Sequence, residues 1–298
     1  MTGGRRTAEI PFDCAEFSAG DRRISYLDSG GEKPPTHFYH ANGFPVSVYL
    51  PLLEELAHGF RVLGLTLGGQ DGLSEGLLSW QRPAADLNGF LQRLGAGPVV
   101  GVGHSIGAVC TLFAAVREPA LYSRVVLLDP VLLPGRIVLL TRLLRLAGMK
   151  QRFPLARRAR ARRKDWPGRR EALEYFKGKS LFQGWEPRYL ETYVTYGLVP
   201  ARDGGVTLLC PPEAEARGFE NYPVDVWRWP GRLRVPVLIV RGEHSDVLTQ
   251  ASYQRFLRLC PGAEGLLLPG AGHLFPMQKP GETVRLIREF ASAGGRRG

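Results

Sequence analysis

The chain of 298 residues carries 39 Lys and Arg against 28 Asp and Glu, a formal net charge of +11, and 44% of it is hydrophobic, enough for one globular unit with a large core. Its four cysteines (Cys14, Cys110, Cys210 and Cys260) lie far apart without Cys-x-x-Cys or metal-ligand spacing, so they read as reduced thiols and exclude a disulfide scaffold or a zinc module. Residues 1–10 hold no signal-peptide run and no segment has the charge-free length of a membrane span, which makes the cytoplasm the expected location.

Residues 12–29 read as an N-terminal hairpin, with Arg22-Arg23-Ile24-Ser25-Tyr26-Leu27 alternating polar and apolar. Strands then alternate with helices, at residues 36–40, 61–67, 98–103 and 124–129, which predicts an α/β fold with a mostly parallel sheet and helices on both faces. From 131 to 230 helix-like segments and aromatics replace short strands. This stretch is expected to be a helical cap inserted between strands six and seven of a core formed by 1–130 and 231–298. Strands return at residues 236–242 and 265–269.

The most informative stretch is Val99-Val100-Gly101-Val102-Gly103-His104-Ser105-Ile106-Gly107, an apolar strand running into Gly-x-Ser-x-Gly. An apolar helix follows, closed by Pro119. In that setting the pentapeptide predicts a nucleophile elbow, a turn so sharp that Ser105 is strained and only Gly103 and Gly107 fit around it. A serine hydroxyl needs a base, and the base an orienting carboxylate.

Among six histidines only His273 follows the serine in a loop after a strand, within Gly270-Ala271-Gly272-His273; His37 and His40 lie on an early strand, His58 near a helix end, His104 inside the elbow and His244 beside Asp246. Asp246, after the strand at 236–242, is the favoured acid over Glu243. Asp129 is a third candidate, for which a turn-forming Asp-Pro is preferred to catalysis. The oxyanion hole is expected from the N–H groups of Ile106, at the start of the helix, and Phe44, in the loop His40-Ala41-Asn42-Gly43-Phe44-Pro45.

The elbow, the loop Asn42-Gly43-Phe44-Pro45 and the Gly270-Ala271-Gly272-His273 segment resemble the α/β-hydrolase superfamily, in the layout of its epoxide-hydrolase, dehalogenase and esterase-like branch. Two departures stand out from that resemblance. Asn42 occupies the place of the histidine in His-Gly-x-Pro, and residues 68–74 replace an Arg-Gly-x-Gly-x-Ser stretch. Epoxide hydrolases and haloalkane dehalogenases of this branch have aspartate at the elbow. Serine implies instead acyl transfer, C–C bond hydrolysis or a relative of cofactor-free haloperoxidases; carboxylic ester hydrolysis is the favoured reading, with no metal or organic cofactor. A C–C bond hydrolase, an acyltransferase and a non-catalytic small-molecule receptor of the same fold remain alternatives.

The region 131–230 holds 13 of the 29 aromatics, most expected in the cap's own core and two or three facing a small hydrophobic ester or ketone substrate. It also holds 19 Lys and Arg against 10 Asp and Glu, with the densest run at 157–164. Because Arg outnumbers Lys 33 to 6, compositional bias and a solvated cap surface are the first reading of that run. An anion-binding or membrane-surface role ranks behind it, and nucleic acid last, since no nucleic-acid fold accompanies the run. The apolar stretch 137–146 is expected to pack over the core.

Overall fold

A computed structural model describes residues 12–20, 22–66, 76–202 and 204–293. Residues 68–74, which depart from the related pattern, lie outside the described residues. Eight strands form the main sheet: β1 (Asp13–Ala19), β2 (Arg22–Asp28), β3 (Pro35–Tyr39), β4 (Arg61–Leu65), β5 (Val99–His104), β6 (Tyr122–Leu128), β10 (Val237–Gly242) and β11 (Ala263–Leu268). Their spatial order is β1-β2-β4-β3-β5-β6-β10-β11. β1–β2 and β2–β4 pair antiparallel, and every other neighbouring pair is parallel.

The inner strands are apolar on both faces, as strands covered by helices on two sides must be. Along β6, Val126 and Leu128 join one core with the helices Leu50–Ala57 and Pro280–Ser292, while Val125 and Leu127 join the other with Gln81–Leu94, Ile106–Arg117 and Gln250–Leu259. β5 and β6 are central, so their carboxyl ends open at the middle of one sheet edge, where sites in α/β sheets gather.

Between β6 and β10 the chain leaves the main sheet and forms the helices Gly135–Leu146, Pro154–Arg160, Arg169–Lys177, Pro187–Tyr196 and Pro212–Glu220. The insertion is not wholly helical. β7 (Asp165–Trp166), β8 (Leu198–Pro200) and β9 (Val206–Leu208) form a small antiparallel sheet in the order β7-β9-β8. Strands of two or three residues are too short to show a period of two in sequence.

The helix Gly135–Leu146 also departs from expectation. Ile137, Val138, Thr141 and Leu144 turn toward the core, but Leu139, Leu143 and Leu146 are 57%, 55% and 77% exposed. In the basic run, Arg160 pairs with Glu213 and Glu220, and Arg162 with Glu215, joining Pro154–Arg160 to Pro212–Glu220. Part of the run is therefore structural, not solvated.

Burial of His37 and His40 is expected to make the fold acid-sensitive. Neither ring nitrogen of His37 meets a hydrogen-bond partner among the described residues, and burial pushes its imidazole down to about 3. Burial outweighs hydrogen bonds to the Ala41 and Phe44 backbone and brings His40 to about 4. Both values are depressed from 6.5, so below that pH the unfolded chain binds more protons than the folded one. Their stabilisation is complete above pH 6.5 and is lost as pH falls toward 4 for His40 and 3 for His37. Stability against thermal unfolding is expected to fall between pH 6 and pH 4, by on the order of 1 kcal/mol per pH unit for each histidine. A melting temperature flat across that interval would refute it.

Candidate active site

The elbow follows from sterics. Ser105 has φ 58° and ψ −119°, a region that L-residues avoid. A Cβ on Gly103 would lie 2.5 Å from the Gly107 carbonyl oxygen, and one on Gly107 would lie 2.4 Å from that of Tyr39. Only glycine lets the strand, the turn and the helix approach so closely. The Ser105 N–H donates to the Leu128 carbonyl at 3.0 Å, which ties the elbow to the end of β6.

His273 joins the serine from the loop after β11. Its Nε2 lies 3.0 Å from Ser105 Oγ, and its Nδ1 lies 2.7 Å from Asp129 Oδ2. The sequence expectation of Asp246 as the acid is thus corrected. The carboxylate that reaches His273 is that of Asp129, fully buried after β6 with φ 43°. β10 neighbours β6 in parallel, and its carboxyl end supplies donors to this carboxylate in place of an acid. Gly242 N–H donates to Asp129 Oδ1 at 3.0 Å, and the Ser245 hydroxyl donates to Oδ2. Asp246 is exposed beside Ser245, and Glu243 accepts the Gly270 N–H at 2.7 Å. Three groups converge on one buried carboxylate: the Gly242 N–H, the Ser245 hydroxyl and the His273 imidazole. With Nδ1–H directed at Asp129, Nε2 is left to accept the serine proton.

His104, set aside in sequence as a base, touches the favoured histidine, His273. Its Nε2–H donates to the His273 carbonyl at 2.9 Å, its Nδ1 accepts the Tyr49 hydroxyl at 2.7 Å, and Tyr49 Oη accepts the Ala41 N–H at 3.2 Å. A buried chain therefore runs from the loop at Ala41 to the backbone of His273. The rings of His104 and His273 lie 5.1 Å apart. Burial, then the nearby His273, holds His104 well below its usual range, so it stays neutral beside an imidazolium. Tyr49→Phe removes the acceptor of Ala41 and the donor to His104. It is expected to lower kcat on any turned-over substrate by about tenfold and to cost about 1–3 kcal/mol in urea unfolding. An unchanged kcat would remove the chain from the account.

The loop at residues 40–45 is held from outside as well. Asn42, in place of the related histidine, donates from Nδ2 to the Glu215 carbonyl at 2.8 Å, fastening the loop to the helix Pro212–Glu220. Gly43 has φ 79°, and a Cβ there would strike the Glu215 carboxyl group at 2.8 Å. The Phe44 N–H closes a turn onto the Ala41 carbonyl at 3.2 Å. The Ile106 N–H opens its helix, where first-turn N–H groups have no intrahelical acceptor.

A cavity of about 520 Å³ lies over this arrangement and is bounded by both Ser105 and His273. Its apolar lining includes Phe44, Val131, Phe176, Phe182 and Phe219, and its polar lining includes Arg158, Arg162, Arg163, Lys179, Glu215, His244 and Asp246. Four insertion aromatics (Tyr175, Phe176, Phe182 and Phe219) face it, while Trp166, Trp185, Tyr189, Tyr193, Tyr222 and Trp229 are buried elsewhere in the packing. A second hollow of about 460 Å³, between Pro51 and Arg288, contains none of these catalytic candidates.

The sequence profile of the alpha/beta hydrolase family matches residues 38–286, from β3 to the last helix. The chain belongs to the alpha/beta hydrolase family. It is 26% identical over 269 residues to a 2-(acetamidomethylene)succinate hydrolase of Mesorhizobium japonicum, spanning 88% of this chain and 90% of that protein. The crystal structure of an E-2-(acetamidomethylene)succinate hydrolase superposes with a TM-score of 0.79 at 22% identity, covering 94% of this chain and 99% of the other. An esterase of Mycobacterium tuberculosis superposes at 0.70 with 19% identity over 94% and 92% of the two chains. These likenesses establish the alpha/beta hydrolase fold. No helix among the described residues is long and apolar enough to cross a membrane.

Proposed function

We propose that this family member hydrolyses carboxylic esters through an acyl-enzyme on Ser105. The observation that carries this reading is the unbroken hydrogen-bond line from Ser105 Oγ through His273 to the buried Asp129, at 3.0 and 2.7 Å. As Ser105 Oγ bonds to the ester carbonyl carbon, its proton passes to His273 Nε2. Asp129 stabilises the imidazolium and keeps it oriented. The carbonyl oxygen, now an oxyanion, is received by the Ile106 and Phe44 N–H groups. For Phe44 this requires its N–H to turn from the Ala41 carbonyl, which it meets at 3.2 Å. Collapse breaks the carbon–oxygen bond to the leaving alcohol, which takes the proton from His273. Water then attacks the acyl-enzyme, giving its proton to the same nitrogen, and the acid departs as that proton returns to Ser105.

The apolar wall of the cavity supports a substrate with a hydrophobic body next to the reacting carbonyl. The test is hydrolysis of p-nitrophenyl esters from acetate to decanoate. Turnover with an optimum at intermediate chain length is expected. Absence of turnover on every ester by correctly folded protein would overturn the ester reading in favour of C–C bond hydrolysis or of binding without reaction.

A further inference from the structure

Resting on the ester-hydrolase reading, we propose that the cavity over Ser105 selects acyl compounds that carry an anionic group, held at the cavity's border by Arg158, Arg163 and Lys179. Ser105 is only 5% exposed, whereas these three residues are exposed and border the same cavity. A substrate whose carbonyl reaches the serine therefore lies in the space that these three residues help to line.

The charge at this border is unbalanced. The fourth cation, Arg162, is committed, paired with Glu215 and donating to the Tyr193 hydroxyl at 2.8 Å. No carboxylate among the described residues lies within ion-pair distance of Arg158, Arg163 or Lys179. Two of them gather on one aromatic ring, with Lys179 Nζ 4.3 Å and Arg163 Cζ 5.2 Å from the centre of Tyr175. Arg163 also donates from Nε to the Asp165 carbonyl at 2.9 Å, which fixes its approach and leaves its terminal nitrogens for a ligand. The ring aligns both cations without neutralising them, and like charges held together favour an anion between them. Among the described residues Asp246, on the β10 side, is the one carboxylate lining the cavity without an ion pair, so attraction is confined to the side of the insertion.

The same cations would hold a carboxylate at the far end of the acyl group or phosphates on the leaving group, and matched pairs of substrates separate these sources. The first pair is p-nitrophenyl hexanoate and the p-nitrophenyl monoester of adipate. The second is S-hexanoyl-N-acetylcysteamine and hexanoyl-coenzyme A. For at least one pair the anionic member is expected to have a kcat/KM about tenfold or more above its neutral match at low ionic strength, with the advantage carried by KM and shrinking as salt screens the border. The triple variant R158Q/R163Q/K179Q is expected to lower that ratio about tenfold, and R158K/R163K/K179R to retain most of it. An advantage in the first pair assigns the anion to the acyl side, and one in the second to the leaving group.

Equal rates within both pairs, or an advantage that survives the neutral triple variant, would overturn the proposal while leaving ester hydrolysis intact. Titration of Ser105→Ala protein with adipate and with coenzyme A supplies a readout independent of turnover. Salt-sensitive binding of either, weakened by the neutral triple variant, supports the site. Binding of neither overturns it.

Discussion

Asp129→Asn is expected to lower kcat on p-nitrophenyl esters by about 10⁴-fold with little change in KM, because an amide in that place favours the wrong imidazole tautomer and no longer stabilises the imidazolium. Asp246→Asn, on the turn after the neighbouring strand β10, is expected to stay within about threefold of the parent kcat, since surface substitutions that leave the reacting groups alone rarely disturb them. Asp246 borders the cavity without a contact to His273, whereas Asp129 meets that ring at 2.7 Å. The two variants decide between the carboxylates in one experiment. If the large loss followed Asp246 and spared Asp129, the assignment of the acid would be wrong. Circular dichroism of Asp129→Asn must accompany the kinetics, because the carboxylate also anchors Gly242 and Ser245.

Ser105→Ala is expected to abolish ester turnover to within the residual supplied by binding and oxyanion stabilisation, a loss of about 10⁶ in kcat. Replacement by glycine should remove the nucleophile equally and yet behave differently in unfolding. Alanine keeps a Cβ at φ 58° and ψ −119°, while glycine adopts that conformation freely. Ser105→Gly is therefore expected to be more stable than Ser105→Ala by about 1 kcal/mol, read from the urea midpoints of the two proteins. A less stable glycine variant would mean that the elbow is not strained at the nucleophile. Retention of full turnover in either variant would dismiss Ser105 as the nucleophile.

Ser105 and His273 were legible because each announces itself locally. The elbow needs glycine on both sides within five residues, and the histidine stands in a glycine-flanked loop after a strand. Asp129 was not favoured for a physical reason. An Asp-Pro after a strand is a common turn, and nothing near it in sequence says that β10 lies beside β6 and brings Gly242 and Ser245 to its carboxyl group. The Tyr49–His104–His273 chain was hidden in the same way, since its members are brought together only by the sheet. The alternation of strands and helices revealed the parallel sheet, but not the three tiny strands of the insertion. Nor did a helix rich in leucine reveal which leucines would be left outside. The basic run gave its charge but not its partners, because Glu213, Glu215 and Glu220 come from a helix some fifty residues later.

Because the carboxylate comes from the end of β6, the turn after β10 carries two separable duties on adjacent residues. Ser245 faces inward to the carboxylate, while His244, Asp246 and Val247 face the cavity. Such a division makes the outward positions a natural place to diversify by saturation mutagenesis. Side chains exchanged there meet the incoming molecule and leave the proton path behind them undisturbed. Variation at Ser245 itself would be felt by every substrate alike, whereas variation at its neighbours would reorder preferences among substrates.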